Sequence, residues 1–156
     1  MPETSADLKY TNTPTTPLAE GEEVLASFQA DRATYRRDHA TMAAIAMAVG
    51  MAILWVIGNP HVWTGAIGGL AAIVLRGWYV ASDELSVRWD LTDRRLMGPG
   101  TRTVGLREIK QINTLGSAVQ VVTLTGDKHL IKYQPDAKAT KALIERVQAG
   151  GRPPAQ

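Results

Sequence analysis

Charged and apolar residues are sharply segregated along this chain, and the longest uncharged stretch covers residues 40–75. It contains no Asp, Glu, Lys or Arg and reads ATMAAIAMAVGMAILWVIGNPHVWTGAIGGLAAIVL. One Asn-Pro step, at positions 59–60, divides it. This step favours a turn, because the proline ring obstructs continuation of a helix. We therefore predict a helical hairpin over residues 40–81, with one helix at 40–58 and the other at 62–81.

Each predicted helix is long enough to cross a lipid bilayer. Residues 40–58 would rise about 28 Å as a helix, close to the roughly 30 Å thickness of the hydrocarbon core. The alternative is a buried helical hairpin in a soluble protein. That interpretation is the weaker one, because a chain of 156 residues has nothing large enough to cover two helices that are apolar all round. We therefore expect the lipid bilayer to be one partner of the chain.

Residues suited to the bilayer surface flank this transmembrane hairpin. Long arginine side chains reach the headgroups from a helix end, and Trp and Tyr favour the same depth. The turn NPH carries no Lys or Arg, whereas arginines lie on both outer flanks. By the positive-inside rule, we expect a multi-pass protein of the cell inner membrane with both termini in the cytoplasm. The expected membrane-interface anchors are Arg32, Arg36, Arg37, Arg76, Trp78 and Tyr79.

Small residues recur at four-residue spacing on both predicted helices. Ala46 and Gly50 form such a pair on the first helix, and Gly65 and Gly69 form one on the second. Small side chains let helix backbones approach closely in lipid. We therefore predict helix packing through these four residues within the hairpin, with a homo-oligomer interface as the alternative.

After the hairpin, the apolar period changes from that of a helix to that of a strand. Apolar and polar side chains alternate in LSVRWDLT, residues 85–92, as is typical of a half-buried strand. Asp93 and Arg94 fit a tight turn before the returning RLMG. The Gly-Asp pair at positions 126–127 is a second hairpin signal.

A short strand and a closing helix complete the predicted domain. Residues 24–28 alternate as VLASF, and Asp136 is placed to cap a helix that ends before Gly150. The predicted fold is an α+β membrane protein. It consists of a two-helix transmembrane hairpin followed by a small antiparallel barrel or bent sheet capped by a C-terminal helix.

Composition sets the remaining boundaries. Residues 1–19 are rich in Thr and Pro, and we predict that they form a disordered tail, as do residues 150–156. Residues 20–39 form a juxtamembrane segment with the short strand and the start of the first helix. Residues 82–84 tether the cytosolic domain, which covers residues 83–149.

Three segments carry a family resemblance. They are EGEEVLASF before the first helix, the strand ending LTDRRL and the later LREIKQI. With the two apolar helices, they make residues 20–148 resemble the bacterial pleckstrin-homology-like (bacterial PH domain) membrane proteins. The resemblance implies a multi-pass protein with a cytosolic PH-like domain and no shared catalytic residues. The matching positions are Trp89, Leu91, Thr92, Asp93, Arg94, Arg95 and Leu96.

Candidate chemistry is scarce. Cysteine is absent, which excludes disulfides, thiolate nucleophiles and cysteine-bound metals. His39, His61 and His129 fall in separate parts of the predicted topology, which disfavours a shared metal site. GSAV is not a nucleophile elbow, and TLTGDKHL lacks the glycine-rich pattern of a phosphate loop. We therefore predict no enzyme activity, no catalytic residue, no cofactor and no metal site. The net charge of +2 is too mild to argue for nucleic acid.

Two functions remain. We expect a membrane-anchored PH-like interaction module or accessory subunit at the cytoplasmic face, with another membrane protein as its partner. The alternative is a peripheral sensor of anionic lipid headgroups, since residues 83–156 carry 12 Lys and Arg against 8 Asp and Glu. The residues expected to contact an anionic lipid or the partner are Arg88, Arg94, Arg95, Arg102, Lys128 and Lys132.

Two details of these surfaces stay open in the sequence. Arg94 and Arg95 are interpreted first as the polar corner of a hairpin and second as an anion-binding pair. A small antiparallel sheet also leaves an edge that can recruit an extended segment of a partner. We expect that edge near residues 101–106 or at the hairpin around 126–127.

Overall fold

The computed structural model describes residues 11–153, and the chain folds into two compact units. Arg32–Glu84 form one unit, and the described residues up to Asp31 and from Leu85 form the other. The first is a pair of long apolar helices, and the second consists of two small antiparallel sheets with a C-terminal helix. The chain is therefore an α+β protein, as predicted. Its helices are α1 (Arg32–Val56), α2 (Trp63–Ser86) and α3 (Ala137–Gln148).

Seven strands are present within residues 11–153. They pair in the orders β1-β2-β3-β4 and β5-β6-β7, and every ladder is antiparallel. No ladder joins the two sheets in this part of the chain, so the strands do not close into a barrel. The strands are β1 (Val24–Gln29), β2 (Arg88–Thr92), β3 (Arg95–Met97), β4 (Thr103–Gly105), β5 (Ile109–Leu115), β6 (Ala118–Thr123) and β7 (Lys128–Ile131).

The first long helix ends where the sequence predicts, but glycine terminates it before the proline. Gly58 adopts φ +73°, a conformation in which a side chain would be strained. Its N–H donates to the carbonyl of Trp55 at 3.0 Å, and the N–H of Asn59 donates to that of Leu54 at 2.9 Å. These bonds form a Schellman motif, which satisfies the last carbonyls of α1.

The second long helix runs further than predicted. Residues 82–84 were expected to be a tether and Leu85 the start of a strand, but α2 continues to Ser86 and β2 begins at Arg88. Residues 82–86 contain neither Gly nor Pro, so nothing in the local sequence stops the helix. The strand predicted over residues 85–92 is therefore wrong for residues 85–87 and right for the remainder.

The first sheet contains strands from both before and after the helical hairpin in the sequence. β1 pairs with β2, so that Phe28 lies opposite Trp89 and Ala26 opposite Leu91. The strand predicted in the juxtamembrane segment is thus present, and it belongs to the sheet unit. A domain that begins only at residue 83 would lack this edge strand.

A single hydrophobic core fills the sheet unit. α3 packs on β5 and β6 through the buried side chains of Ile144 and Val147. Asp136 caps this helix, because its side chain accepts a hydrogen bond from the N–H of Ala139 at 2.9 Å. The buried core residues are Phe28, Trp89, Leu91, Leu96, Val104, Leu106, Ile109, Ile112, Val119, Val121, Ile131, Ala137, Ile144 and Val147.

Parts of both predicted tails are hydrogen-bonded to the fold. Residues 1–10 and 154–156 lie outside the described residues. Residues 12–19 are hydrogen-bonded to the sheet unit instead of being disordered, for example through the N–H of Arg88, which donates to the carbonyl of Asn12 at 2.8 Å. Residues 150–151 continue the end of α3 through bonds back to its last turn. Both segments satisfy backbone groups of the fold, which composition alone does not reveal.

Candidate functional site

The two long helices touch where the small residues predicted their contact. A Cβ atom added to Gly65 would overlap the backbone of Gly50, and one added to Gly69 would lie 2.5 Å from the carbonyl group of Ala46. All four predicted packing residues therefore meet inside one hairpin. The backbones approach too closely at this point for any larger side chain.

A second contact joins the other ends of these helices, and no sequence pattern indicated it. Tyr35 donates its hydroxyl to the carbonyl of Gly77 at 2.8 Å. His39 packs against Tyr35 with ring centroids 4.0 Å apart, and its Nδ1 lies 2.9 Å from the Tyr35 carbonyl oxygen. A Cβ on Gly77 would lie 3.0 Å from the His39 ring. Gly77 is therefore a fifth small residue on which the helix pairing depends.

Many large apolar side chains of both helices are exposed. Both are long and apolar enough to cross a membrane, and none of the most apolar stretch of either helix is buried. Trp55 is 73% exposed, Trp78 85% and Tyr79 84%. The predicted interface anchors Arg32, Arg36, Arg37 and Arg76 are exposed as well. The other large apolar side chains that are exposed on α1 and α2 are Ile45, Val49, Met51, Ile53, Val56, Trp63, Ile67, Leu70, Val74 and Leu75.

The residue pair Arg94 and Arg95 lies at a hairpin corner, where Asp93 and Arg94 connect β2 to β3. Thr92 organises this corner. Its hydroxyl accepts hydrogen bonds from the N–H groups of Arg94 at 3.2 Å and Arg95 at 2.9 Å, and it donates to Oε1 of Glu22 at 2.7 Å. The turn thus follows from a threonine at a strand end, which competes effectively for local backbone groups.

Arg95 forms a two-point ion pair with Glu22. Its Nε lies 2.9 Å from Oε1 and its Nη2 2.9 Å from Oε2, and the Glu22 side chain is 0% exposed. Nη2 also donates to the carbonyl of Pro17 at 2.9 Å, and the N–H of Ala19 donates to Oε2 at 2.8 Å. The pair therefore fastens residues 17–22 to the hairpin corner. Such fork-shaped pairing is the strongest form of charged hydrogen bond in proteins.

The surroundings of Glu22 keep it ionised. The hydrogen bonds from Arg95 lower the pKa of Glu22 from its ordinary 4.5 to about 2, helped by the Ala19 N–H and the Thr92 hydroxyl, while burial opposes them. Sequence patterns missed Glu22, because its partner lies 73 positions away. Arg95 is thus paired with this carboxylate within the fold, and its role as a contact for an anionic lipid or a partner stays a prediction.

The other predicted contact residues differ in pairing and exposure. Arg88 pairs with Asp90, its Nη2 lying 3.1 Å from Oδ2, so it too is neutralised within the fold. Arg94 is half exposed and donates to the carbonyl of Glu20 at 3.2 Å. Arg102, Lys128 and Lys132 are exposed side chains of the sheet unit. Two of the six residues, Arg88 and Arg95, are therefore paired with carboxylates of the fold.

The described residues do not bring a set of metal-binding side chains together. Within residues 11–153 there is no group of three or more His, Asp or Glu side chains that could hold a metal ion. His129 is half-buried, edge-on to Trp89 with ring centroids 6.0 Å apart. Burial lowers the pKa of His129 from its ordinary value.

The predicted edge near residues 101–106 is present but partly closed. β4 is the last strand of the first sheet, and its Gly105 N–H is taken by Oε2 of Glu108 at 3.1 Å. The adjoining turn at Gly100 is paired with the chain's own residues 13–15. The other predicted site, the turn at 126–127, is exposed between β6 and β7.

Comparison with known proteins gives no family for this chain: no family model, no curated protein and no solved structure matches it.

The close approach of the helices gives a matched pair of substitutions. Gly65→Leu should lower the free energy of unfolding of the hairpin in micelles by about 2 kcal/mol or more, because the leucine forces the backbones apart. Gly68→Leu should change it by less than about 0.5 kcal/mol, since a Cβ there meets nothing within 4 Å. Equal effects of the two substitutions would contradict this packing.

The buried ion pair gives a second prediction. Glu22→Gln should lower the free energy of unfolding of the sheet unit by about 2 kcal/mol at pH 7, less than for a fully buried pair because Arg95 is 24% exposed. Glu23→Gln, at the exposed neighbour, should change it by less than about 0.5 kcal/mol.

The same ion pair makes the free energy of unfolding of the sheet unit depend on pH. Unfolded Glu22 binds a proton near its ordinary pKa of 4.5, and folded Glu22 only near its pKa of about 2. Acid therefore favours the unfolded state in that window, and the stability that the pair contributes is lost as the pH falls through it. Urea titrations in micelles from pH 7 to pH 2 should show the wild-type and Glu22→Gln free energies converging. A constant gap across this range would rule out the ionised pair.

Proposed function

We propose that this protein is a membrane-anchored, non-catalytic interaction module that acts at the cytoplasmic face of the membrane, with α1 and α2 crossing the bilayer. The observation that carries the proposal is the exposed apolar surface around both helices, with Trp55, Leu75 and Trp78 each more than two-thirds exposed. Transfer of one such side chain from water contributes about 1.5–3 kcal/mol. A bilayer removes all of them from water at once.

The helices also meet the polar requirement of a membrane span. Helical backbones satisfy their own hydrogen bonds, which hydrocarbon demands. No Asp, Glu, Lys or Arg lies between residues 40 and 75. The Tyr35 hydroxyl and the Nδ1 atom of His39 are bonded within the hairpin near its charged end. Charge placement supports an inner-membrane protein with both termini in the cytoplasm, because arginines flank the hairpin and are absent from its turn.

The sheet unit supports binding more than catalysis. Its polar side chains are used in structural pairs, among them Glu22 with Arg95 and Asp90 with Arg88. These pairs also weaken the lipid-sensor alternative, since they neutralise two of the six basic residues on which it rests. We therefore favour another membrane protein as the partner, in line with the resemblance to PH-like membrane proteins.

Single cysteines test the anchor, because the native chain contains none. In intact cells, His61→Cys should react with a thiol reagent that cannot cross the membrane, and Ala33→Cys should react only after the cells are opened. Both positions are exposed in the fold, so burial in the protein cannot explain protection. Labelling of Ala33→Cys alone in intact cells would reverse the topology, and equal labelling of both would exclude insertion.

The interaction role has its own control in the same cells. Crosslinking in native membranes should join the sheet unit to a second polypeptide. Recovery of uncrosslinked single copies only, from membranes in which the cysteine pattern is as expected, would contradict the interaction role and leave the anchor intact.

A further inference from the structure

A segment of the chain's own N-terminal part pairs with the turn at Gly100, which follows β3 of the first sheet. Thr15 donates its N–H to the carbonyl of Gly100 at 3.0 Å, and Gly100 donates its N–H to the carbonyl of Thr13 at 3.0 Å. The result is a parallel bridge between Pro14 and Gly100. One end of this segment is held by the backbone N–H of Arg88, which donates to the carbonyl of Asn12 at 2.8 Å. We call residues 12–15 the strap and the backbone that holds them, at Arg88 and Gly100, the strap site.

The strap is attached at few points. Pro14 has no N–H, which the bridge tolerates because its two hydrogen bonds come from the flanking threonines. Pro14 and Pro17 prevent the strap from extending into a regular ladder. Beyond the backbone bonds, the side chain of Asn12 donates to Oγ of Ser86 at 2.7 Å. The strap site thus shows how an extended segment binds there through backbone groups.

One residue of the strap fits its site imperfectly. The Oγ1 atom of Thr15 is buried and has no hydrogen-bond partner. A buried hydroxyl without a partner destabilises the bound state, whereas an apolar group of the same shape does not. Valine has the shape of threonine without the hydroxyl. A segment with a β-branched aliphatic residue at this register position therefore suits the site better than the strap does.

We propose that the strap site is a docking site for an extended segment of a partner protein, and that residues 12–15 close it in cis. The occupant is uncharged, like residues 11–17, and carries Val or Ile in register with Thr15. It binds as an extended segment through the Arg88 N–H and both backbone groups of Gly100. This inference rests on the proposed interaction function and names the site and chemistry of the partner. The strap weakens binding by the fraction of time that it occupies the site.

Labelled peptides test the proposal on the full chain in nanodiscs. The probes are a peptide of residues 11–19 and the same peptide with Thr15→Val or, as the matched control, Thr16→Val. Fluorescence anisotropy should show the Thr15→Val peptide binding at least about fivefold more tightly than the native peptide, since it avoids the unpaired hydroxyl. The Thr16→Val peptide should bind within about twofold of the native one.

A change in the chain tests closure by the strap. Thr15→Pro in the chain removes the N–H that donates to Gly100, and the Thr15→Val peptide should then bind about fivefold more tightly than to the wild-type chain. Thr16→Pro makes the same exchange at an N–H outside the bridge and should leave binding unchanged. Hydrogen exchange of β2 and β3 checks that both variants keep the sheet.

Three results would overturn the proposal. They are equal binding of the Thr15→Val and native peptides, absence of peptide binding to a folded Thr15→Pro chain, and exchange of straps between two tagged copies, which would make a second copy the occupant. None of them changes the cysteine labelling pattern, so failure of the docking site is distinguishable from failure of the membrane anchor.

Discussion

The apolar surface of α1 and α2 is the constraint on which the rest of the molecule depends. The helices pair through a narrow strip of small residues, where Gly50 and Gly65 bring the backbones into contact. Such a strip buries little of the large side chains, which point away from the pair and stay exposed. Water is an unfavourable solvent for that surface, and lipid is a favourable one. Membrane anchorage is the simplest arrangement that leaves both the pairing and the exposed side chains as they are.

The sheet unit depends on contacts made across the helical hairpin in sequence. β1 precedes the hairpin and β2 follows it, and their pairing requires both ends of the hairpin to return to the same sheet. Glu22 and Arg95 reinforce this closure with a buried ion pair at the end of the ladder. The carboxylate of Glu22 also accepts the Ala19 N–H, which directs the N-terminal segment back along the sheet. The strap and its docking site are thus consequences of how the sheet is closed.

Local features of this fold were readable from the sequence. The uncharged stretch, the Asn-Pro step and the spacing of small residues predicted the helical hairpin and its contact, because each acts over a few residues. Asp93 and Asp136 likewise marked a turn and a helix cap that the structure contains. These signals place the helical hairpin, one turn and one helix cap without knowledge of the remainder of the chain.

Contacts between residues far apart in the chain could not be predicted from the sequence. The partner of Arg95 is a glutamate on the far side of the hairpin, and charge alone made Arg95 resemble a ligand-binding residue. Alternation in residues 85–92 predicted a strand, but only the structure shows that its first two residues finish α2. Alternation also cannot tell one closed barrel from two sheets, since both bury every second side chain. Composition does not predict the strap, because disordered tails and short edge segments can both be rich in Thr and Pro.

The most direct test of the account is the environment of the exposed apolar helix surface in the presence of a bilayer. A spin label at Ile67→Cys, which is exposed on α2, should be more accessible to dissolved oxygen than to a water-soluble nickel complex, because oxygen concentrates in hydrocarbon. A label at Thr101→Cys, exposed on the sheet unit, should show the opposite preference. The account predicts this contrast in nanodiscs and in native membranes. Preferential access of the nickel complex to position 67 would place α2 in water and contradict the membrane anchor.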